Sequence, residues 1–285
     1  MERTFPHGVP SWVDTMQDDV DAALAFYGGL FGWTFTDAMP PDAPDRYVVA
    51  ALDGRDAAAI GGPREPGAPT PPAWATYVAV DDCDATAERL VGLGARLVSP
   101  PEDAGPGGRT ATVADPEGVE LRLWQARRRL GVQVANEPGA WNFSNLLSAD
   151  PDAAAAFYGD AFGWDVVDQG WARQIQVPGY GDHLESTVDP DIRTRQAHAP
   201  EGFADVVGGI VDLDGAPDAA GPDDPGARWH VTFTVADRDD AVATVERLGG
   251  TAVAPYETDW VRACVVRDPQ GALFTVSQFA PKEWG

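Results

Sequence analysis

Four histidines and two cysteines are the side chains of this chain best able to bind metal or move protons. His230 sits inside the run Trp229-His230-Val231-Thr232-Phe233-Thr234, rich in β-branched and aromatic residues and so expected to be a strand. An imidazole titrates near neutral pH and can act as general acid or base, provided a neighbour orients it. A lone histidine on a strand is first of all a hydrogen-bonded core residue, and both readings stay open. His183 and His198 flank the segment Asp189-Pro190-Asp191-Ile192-Arg193, and His7 lies near the start. None of the three has further ligands close in sequence, so they read as surface residues. Cys83 and Cys264 fall one in each half, and offer neither a disulfide framework nor a CxxC pair. That usage fits a reducing compartment. Ten tryptophans in 285 residues offer flat faces on which an aromatic ligand could stack.

The elements that must position these groups are written twice. Ala25-Phe26-Tyr27-Gly28-Gly29-Leu30-Phe31-Gly32-Trp33 recurs as Ala156-Phe157-Tyr158-Gly159-Asp160-Ala161-Phe162-Gly163-Trp164, an offset of 131 residues (156 − 25). Asp18-Asp19-Val20-Asp21 and Asp150-Pro151-Asp152 precede the two copies, and such acids cap a helix and suit its positive end. Gly-Trp ends each helix and opens a strand. Asp115-Pro116-Glu117-Gly118 and Asp268-Pro269-Gln270-Gly271 have the pattern of a type I turn feeding a last strand. Trp74-Ala75-Thr76-Tyr77-Val78 matches Trp229-His230-Val231-Thr232-Phe233. Three signatures in one order indicate an internal duplication.

Each half reads β-α-β-β-β twice, with helices near 20–30, 84–93, 152–162 and 239–248. Residues 1–126 form a first module, 127–138 a linker and 139–285 a second module. Trp33 to Trp74 spans 41 residues and Trp164 to Trp229 spans 65, so the second module carries an insert around 180–205. Asp189 and Pro190 give that insert the start of a short helix, and long inserts over a scaffold serve as lids or as surface decoration. The net charge of −25 disfavours nucleic acid or an anionic membrane as partner. Arg127-Arg128-Arg129 reads as an exposed patch facing acidic surface elsewhere. No stretch has membrane-spanning length or the pattern of a leader, and the expected location is cytoplasmic.

With the Phe-Tyr…Phe-Gly-Trp helix and the Asp-Pro-x-Gly hairpin both present twice, nearly the whole chain resembles the vicinal oxygen chelate superfamily, which holds glyoxalases, extradiol dioxygenases and bleomycin-resistance proteins. The pattern is nearest the tandem two-module type of actinobacteria. The resemblance implies an α+β fold: two glyoxalase-like modules, each of two βαβββ units whose curled mixed sheet makes a half-open barrel around a cleft. Metal-dependent relatives take one ligand from the first strand, one from the strand before the second helix and one from the last strand. Carried onto this sequence through the flanking motifs, those positions are Trp12, Ala75 and Arg122 in the first module and Phe143, His230 and Thr275 in the second. Only His230 is a good ligand for a hard or borderline metal. The resemblance therefore implies that the metal triad is lost, although a divalent metal at His230 stays open.

What stands in its place is a set of aromatic and polar side chains. Trp12, Phe143, Tyr77 and Trp124 are expected to face the clefts, with Asn142, Asn145, Thr232 and Thr275 as polar anchors. Asp14 is the expected orienting partner of His230 if the modules pair across a shared cleft, and Arg122 is a further catalytic candidate. The expected function is a glyoxalase- or bleomycin-resistance-like protein that binds a small aromatic or apolar metabolite without metal, for sequestration or resistance. The alternative is an enzyme of the same superfamily, working through His230 or through atypical metal ligands. The expected partner is a small molecule, and the chain is read as a monomer or a homodimer.

Overall fold

A computed structural model describes residues 2–63, 72–169, 173–197, 199, 200, 202–214, 216 and 226–282. The first module opens with strand β1 (Pro10–Met16), helix α1 (Val20–Phe31) and strands β2 (Thr34–Asp37), β3 (Asp45–Leu52) and β4 (Arg55–Pro63). Its second unit is β5 (Trp74–Ala79), α2 (Cys83–Gly92), β6 (Arg96–Ala104), β7 (Gly108–Ala114) and β8 (Glu120–Ala126). The second module repeats the plan with β9 (Trp141–Ser148), α3 (Pro151–Phe162), β10 (Asp165–Asp168), β11 (Arg173–Gln176) and β12 (Val206–Asp212). Then come β13 (Arg228–Thr234), α6 (Arg238–Arg247), β14 (Thr251–Glu257), β15 (Val261–Arg267) and β16 (Leu273–Phe279). Helices α4 (Tyr180–Thr187) and α5 (Ile192–Arg195) occupy the insert.

Each module builds its own eight-stranded mixed sheet, in the orders β2-β3-β4-β1-β5-β8-β7-β6 and β10-β11-β12-β9-β13-β16-β15-β14. The sheets are open at both edges, so the modules are half-barrels of the expected α+β kind. The repeated helices start and stop as their sequences dictate. Asp19 and Asp150 accept from the backbone N–H groups of Ala22 and Ala153, and Gly32 and Gly163 close the helices at φ 72° and 71°. A side chain is disfavoured in that left-handed conformation, which is why glycine precedes both tryptophans.

The hydrophobic cores do not follow the sheets. Val20, Phe26 and Phe31 of α1 pack with Val231, Phe233, Val245 and Phe274 of the second module. Phe157, Tyr158 and Phe162 of α3 pack with Val78, Leu90 and Leu123 of the first. Each core is thus shared between modules, and polar contacts clamp it with near two-fold symmetry. The Tyr27 hydroxyl donates to Asp268 at 2.8 Å, and the Tyr158 hydroxyl donates to Asp115 at 2.9 Å. Trp33 Nε1 donates to the carbonyl of Gly139, and Trp164 Nε1 to that of Gly8, both at 2.7 Å. At the centre the Thr76 hydroxyl donates to Ser144 at 2.7 Å. Trp74 and Trp229 meet Tyr27 and Tyr158 edge-on. All four repeated tryptophans therefore serve the core.

Residues 127–138 are a bonded crossing with buried Val132 and Val134. Arg127 and Arg129 pair with Asp103 and Asp56, so the arginine run does face acidic groups of its own chain. In the insert the sequence predicts one helix from Asp189, and the structure has two. The Asp189-Pro190 start is displaced, since α5 is capped by Asp191 without a side-chain bond. Helix α4 begins at Gly179 with no side-chain cap, and so lacks the signature by which a helix start is read. His198 lies outside the described residues, and most of the Pro/Gly-rich stretch after Gly61 does too. Among the described residues, no helix is long and apolar enough to cross a membrane.

Candidate functional site

Strand register decides which side chains meet. In the first module Trp12 lies opposite Tyr77, Asp14 opposite Ala75, and Tyr77 opposite Arg122. These pairings gather one polar cluster on the sheet. Arg122 Nη1 donates to Asp14 Oδ1 at 2.7 Å, and the Tyr77 and Tyr47 hydroxyls donate to Asp14 Oδ2 at 2.6 and 3.0 Å. Trp12 Nε1 donates to the Tyr47 hydroxyl at 2.8 Å. Asp14 is fully buried. Its charge keeps the Arg122 guanidinium protonated far above the usual range, against the opposing effect of burial. Burial and the same carboxylate push the hydroxyls of Tyr47 and Tyr77 up.

This cluster corrects one expectation. Asp14 does not orient His230: its oxygens bond Arg122, Tyr77 and Tyr47 of its own module. The modules share cores but each sheet closes its own cluster, so the first strand of one does not complete the site of the other. Trp124 stands edge-on to Tyr77 and donates from Nε1 to the carbonyl of Arg129 at 2.9 Å.

In the second module the equivalent positions carry a smaller set. His230 lies opposite Asn145, Thr232 opposite Phe143, and Thr232 beside Thr275. His230 Nε2 and the Thr275 hydroxyl are 2.8 Å apart, and both residues are buried. The structure brings His230 and Thr275 together as the resemblance implied, but in a hydrogen bond. Thr275 and Phe143 supply no imidazole or carboxylate, and the first module offers Trp12, Ala75 and a paired guanidinium at the same three positions. Among the described residues, no three His, Cys, Asp or Glu side chains gather as a metal site. The donor set does not fit the metal of the superfamily.

A cavity of about 100 Å³ lies where β9 meets the insert, the crossing and the N-terminal segment. Five aromatic residues, Phe5, Trp141, Phe143, Tyr180 and Phe203, share its wall with the charged Arg3, Asp189 and Arg195. Asn142 also lines it and donates to the Thr234 hydroxyl at 2.9 Å. Neighbours on a strand point to opposite faces, yet Trp141, Asn142 and Phe143 all reach this wall. A register shift in the β9–β13 pairing at this end of β9 permits it. Helix α4 is held there by its own contacts: Asp205 accepts from the Gly181 N–H at 2.6 Å, and His183 Nε2 lies 3.1 Å from the Thr4 carbonyl. Of the sequence-derived candidates, Phe143 and Asn142 line this cavity, whereas His230, Asn145, Thr232 and Thr275 do not. Tyr180 and Gln196 escaped the sequence reading because they lie in the insert, which has no counterpart in the first module, and Trp141 because it opens β9 outside the repeated motifs. Tyr47 escaped because β3 carries no motif.

Residues 11–123 match the model of the Glyoxalase/Bleomycin resistance protein/Dioxygenase superfamily, and residues 144–277 match a glyoxalase-like domain. The chain belongs to this superfamily. It is a tandem two-module member, and its relatives agree. CFP32 of Mycobacterium tuberculosis, which carries the provisional name of a glyoxylase, is 35% identical over 285 residues, covering 98% of each chain. The anthracycline biosynthesis protein DnrV of Streptomyces peucetius is 30% identical, over 95% of this chain and 94% of its own. Among solved structures, the Mn(II)-bound glyoxalase of Novosphingobium aromaticivorans superposes with a TM-score of 0.58 at 15% identity. It covers 98% of this chain and 83% of its own. The 2,3-dioxygenase LapB of Pseudomonas sp. KL28 gives 0.58 at 12% identity, over 98% of both chains. Those two likenesses concern the fold.

Proposed function

We propose that the protein binds a small aromatic or apolar metabolite without metal, in the cavity beneath the second module's insert, for sequestration or resistance. The observation that carries this reading is the aromatic wall around Phe143, Tyr180 and Phe203. A cavity lined by rings with a few polar groups is the general form of a small-molecule site. Its volume, about 100 Å³, is below the roughly 150 Å³ of an apolar cavity that takes up benzene, which limits the ligand to a single small ring. The metal positions support the same reading, since Trp12, Ala75, Arg122, Phe143 and Thr275 offer a divalent ion no suitable donor. The kinship with an anthracycline biosynthesis protein is consistent with an aromatic ligand.

A second reading keeps the protein an enzyme, with His230 as the acid-base group; the His230–Thr275 contact favours it. Toluene titrated into chelator-treated protein and followed by NMR separates the two. The binding account predicts shifts confined to Phe143, Tyr180, Phe203 and their neighbours, with His230→Ala leaving affinity unchanged within about twofold. Binding that needs added metal, or that disappears in His230→Ala, would favour the enzyme.

A further inference from the structure

Arg122 of the first module has donors to spare. Its Nη1 donates to Asp14 Oδ1 and to the Tyr77 hydroxyl, both at 2.7 Å. A guanidinium carries five N–H groups, so these bonds use two and leave three on Nε and Nη2. Among the described residues neither of those atoms meets an acceptor, and neither is enclosed by the protein. The Arg122 side chain keeps 24% of its surface exposed, whereas the Asp14 side chain behind it keeps 1%. Around Asp14 the sheet face is filled; at the outer edge of Arg122 it is open.

Strand register shows what flanks that edge. Arg122 lies between Tyr77 on β5 and Thr112 on β7. Residues directly opposite across strands share a face, and Thr112 is half-buried there. The guanidinium also sits over the Tyr77 ring, 5.3 Å from its centroid. Two bonds and a ring thus hold its inner side in place while its outer side points at no partner.

We propose that the first module holds a binding site of its own, and that its ligand is a small carboxylate gripped by the Nε and Nη2 edge of Arg122. That edge presents two parallel N–H groups, the fork that matches the two oxygens of a carboxylate. The Thr112 hydroxyl beside it is a further donor for the same oxygens. A neutral amide of equal shape offers one oxygen and sets its own N–H against the second donor, so the fork selects by charge and by shape. The net charge of −25 repels anions at long range, and only a local, fixed contact of this kind can hold one. Arg122, Tyr77 and Thr112 do not line the cavity beneath the insert, so the proposal stands apart from the binding reading above.

Benzoate and benzamide are flat probes of nearly equal size that differ at this one group. Both are titrated into the full-length protein and followed by NMR, including the arginine Nε–H resonances. Benzoate is expected to bind about tenfold more tightly than benzamide, and to shift Arg122, Thr112 and their neighbours. Arg122→Lys keeps a charge beside Asp14 without the fork, and should weaken benzoate about tenfold. Thr112→Glu gives a second reading in case that variant misfolds: it sets a carboxylate of the chain's own against the fork and should weaken benzoate as much. Benzoate shifts confined to Phe143, Tyr180 and their neighbours would overturn the proposal and leave the binding reading intact. So would benzoate bound no more tightly than benzamide, or an affinity unchanged in whichever variant folds. No benzoate binding at all would also overturn it, which is the result expected if Arg122 serves only the ion pair with Asp14.

Discussion

Asp14 and Asn145 occupy the same place in the two modules, twelve residues before Phe26 and Phe157, and one atom separates their chemistry. Asp14 carries a charge, so its neighbours are Arg122 and two tyrosine hydroxyls, and that sheet face is filled by its own side chains. Asn145 carries none and lies opposite His230, which meets Thr275. The ion pair is worth less than its distance implies, because burying two charges costs most of what their attraction returns. Removing one partner is another matter. Asp14→Ala leaves Arg122, with a side chain only 24% exposed, beside two hydroxyls and no counter-charge. We expect a loss of about 3–5 kcal/mol in urea or guanidinium unfolding. Toluene binding in the second module should survive where the protein stays folded. A loss below about 1 kcal/mol, the scale of an exposed pair, would show that the cluster is far more solvated than it is here.

At the scale of elements, the repeated motifs are inter-module clamps. The Phe-Tyr of one module's first helix reaches the Asp-Pro turn of the other, at Tyr27–Asp268 and Tyr158–Asp115. Burial pushes the Asp115 carboxyl up, only partly offset by donors from Val119 N–H and Tyr158. A carboxylate whose pKa is higher folded than unfolded holds more protons when folded, so its contribution to stability falls as pH rises through that window. The window opens near the unfolded value of about 3.9 and closes above the raised folded value. Asp115→Asn should remove this slope: measured from pH 4 upward, its stability relative to wild type should improve toward neutrality. A relative stability that instead worsens over that range would mean that the folded carboxyl is held below its unfolded value.

The duplication, helix bounds and hairpin turns were legible because caps, Gly-Trp exits and Asp-Pro-x-Gly turns are local chemistry. Their partners were not: nothing near Tyr27 in sequence points to Asp268, 241 residues away. The metal positions could be mapped because they sit at fixed distances from those motifs, and register then placed His230 by Thr275. The Asp14–His230 pairing failed because it assumed a shared cleft where the chain shares cores instead. Helix α4 and the cavity beneath it were hidden, since the insert has no counterpart in the first module.

Across the whole molecule, two half-barrels meet through crossed cores, so each module completes the other's packing. The superfamily's scaffold is kept, and the six positions mapped to its metal ligands hold tryptophan, alanine and arginine in the first module and phenylalanine, histidine and threonine in the second. We propose that this protein works without the metal. Elemental analysis of the purified protein tests that most directly, before and after dialysis against iron, manganese, nickel and zinc salts. We predict less than about a tenth of an equivalent retained for each, because one buried imidazole is far short of the three or four ligands a resident ion needs. Retention near one equivalent, lost in His230→Ala, would contradict the account and place a metal centre at His230.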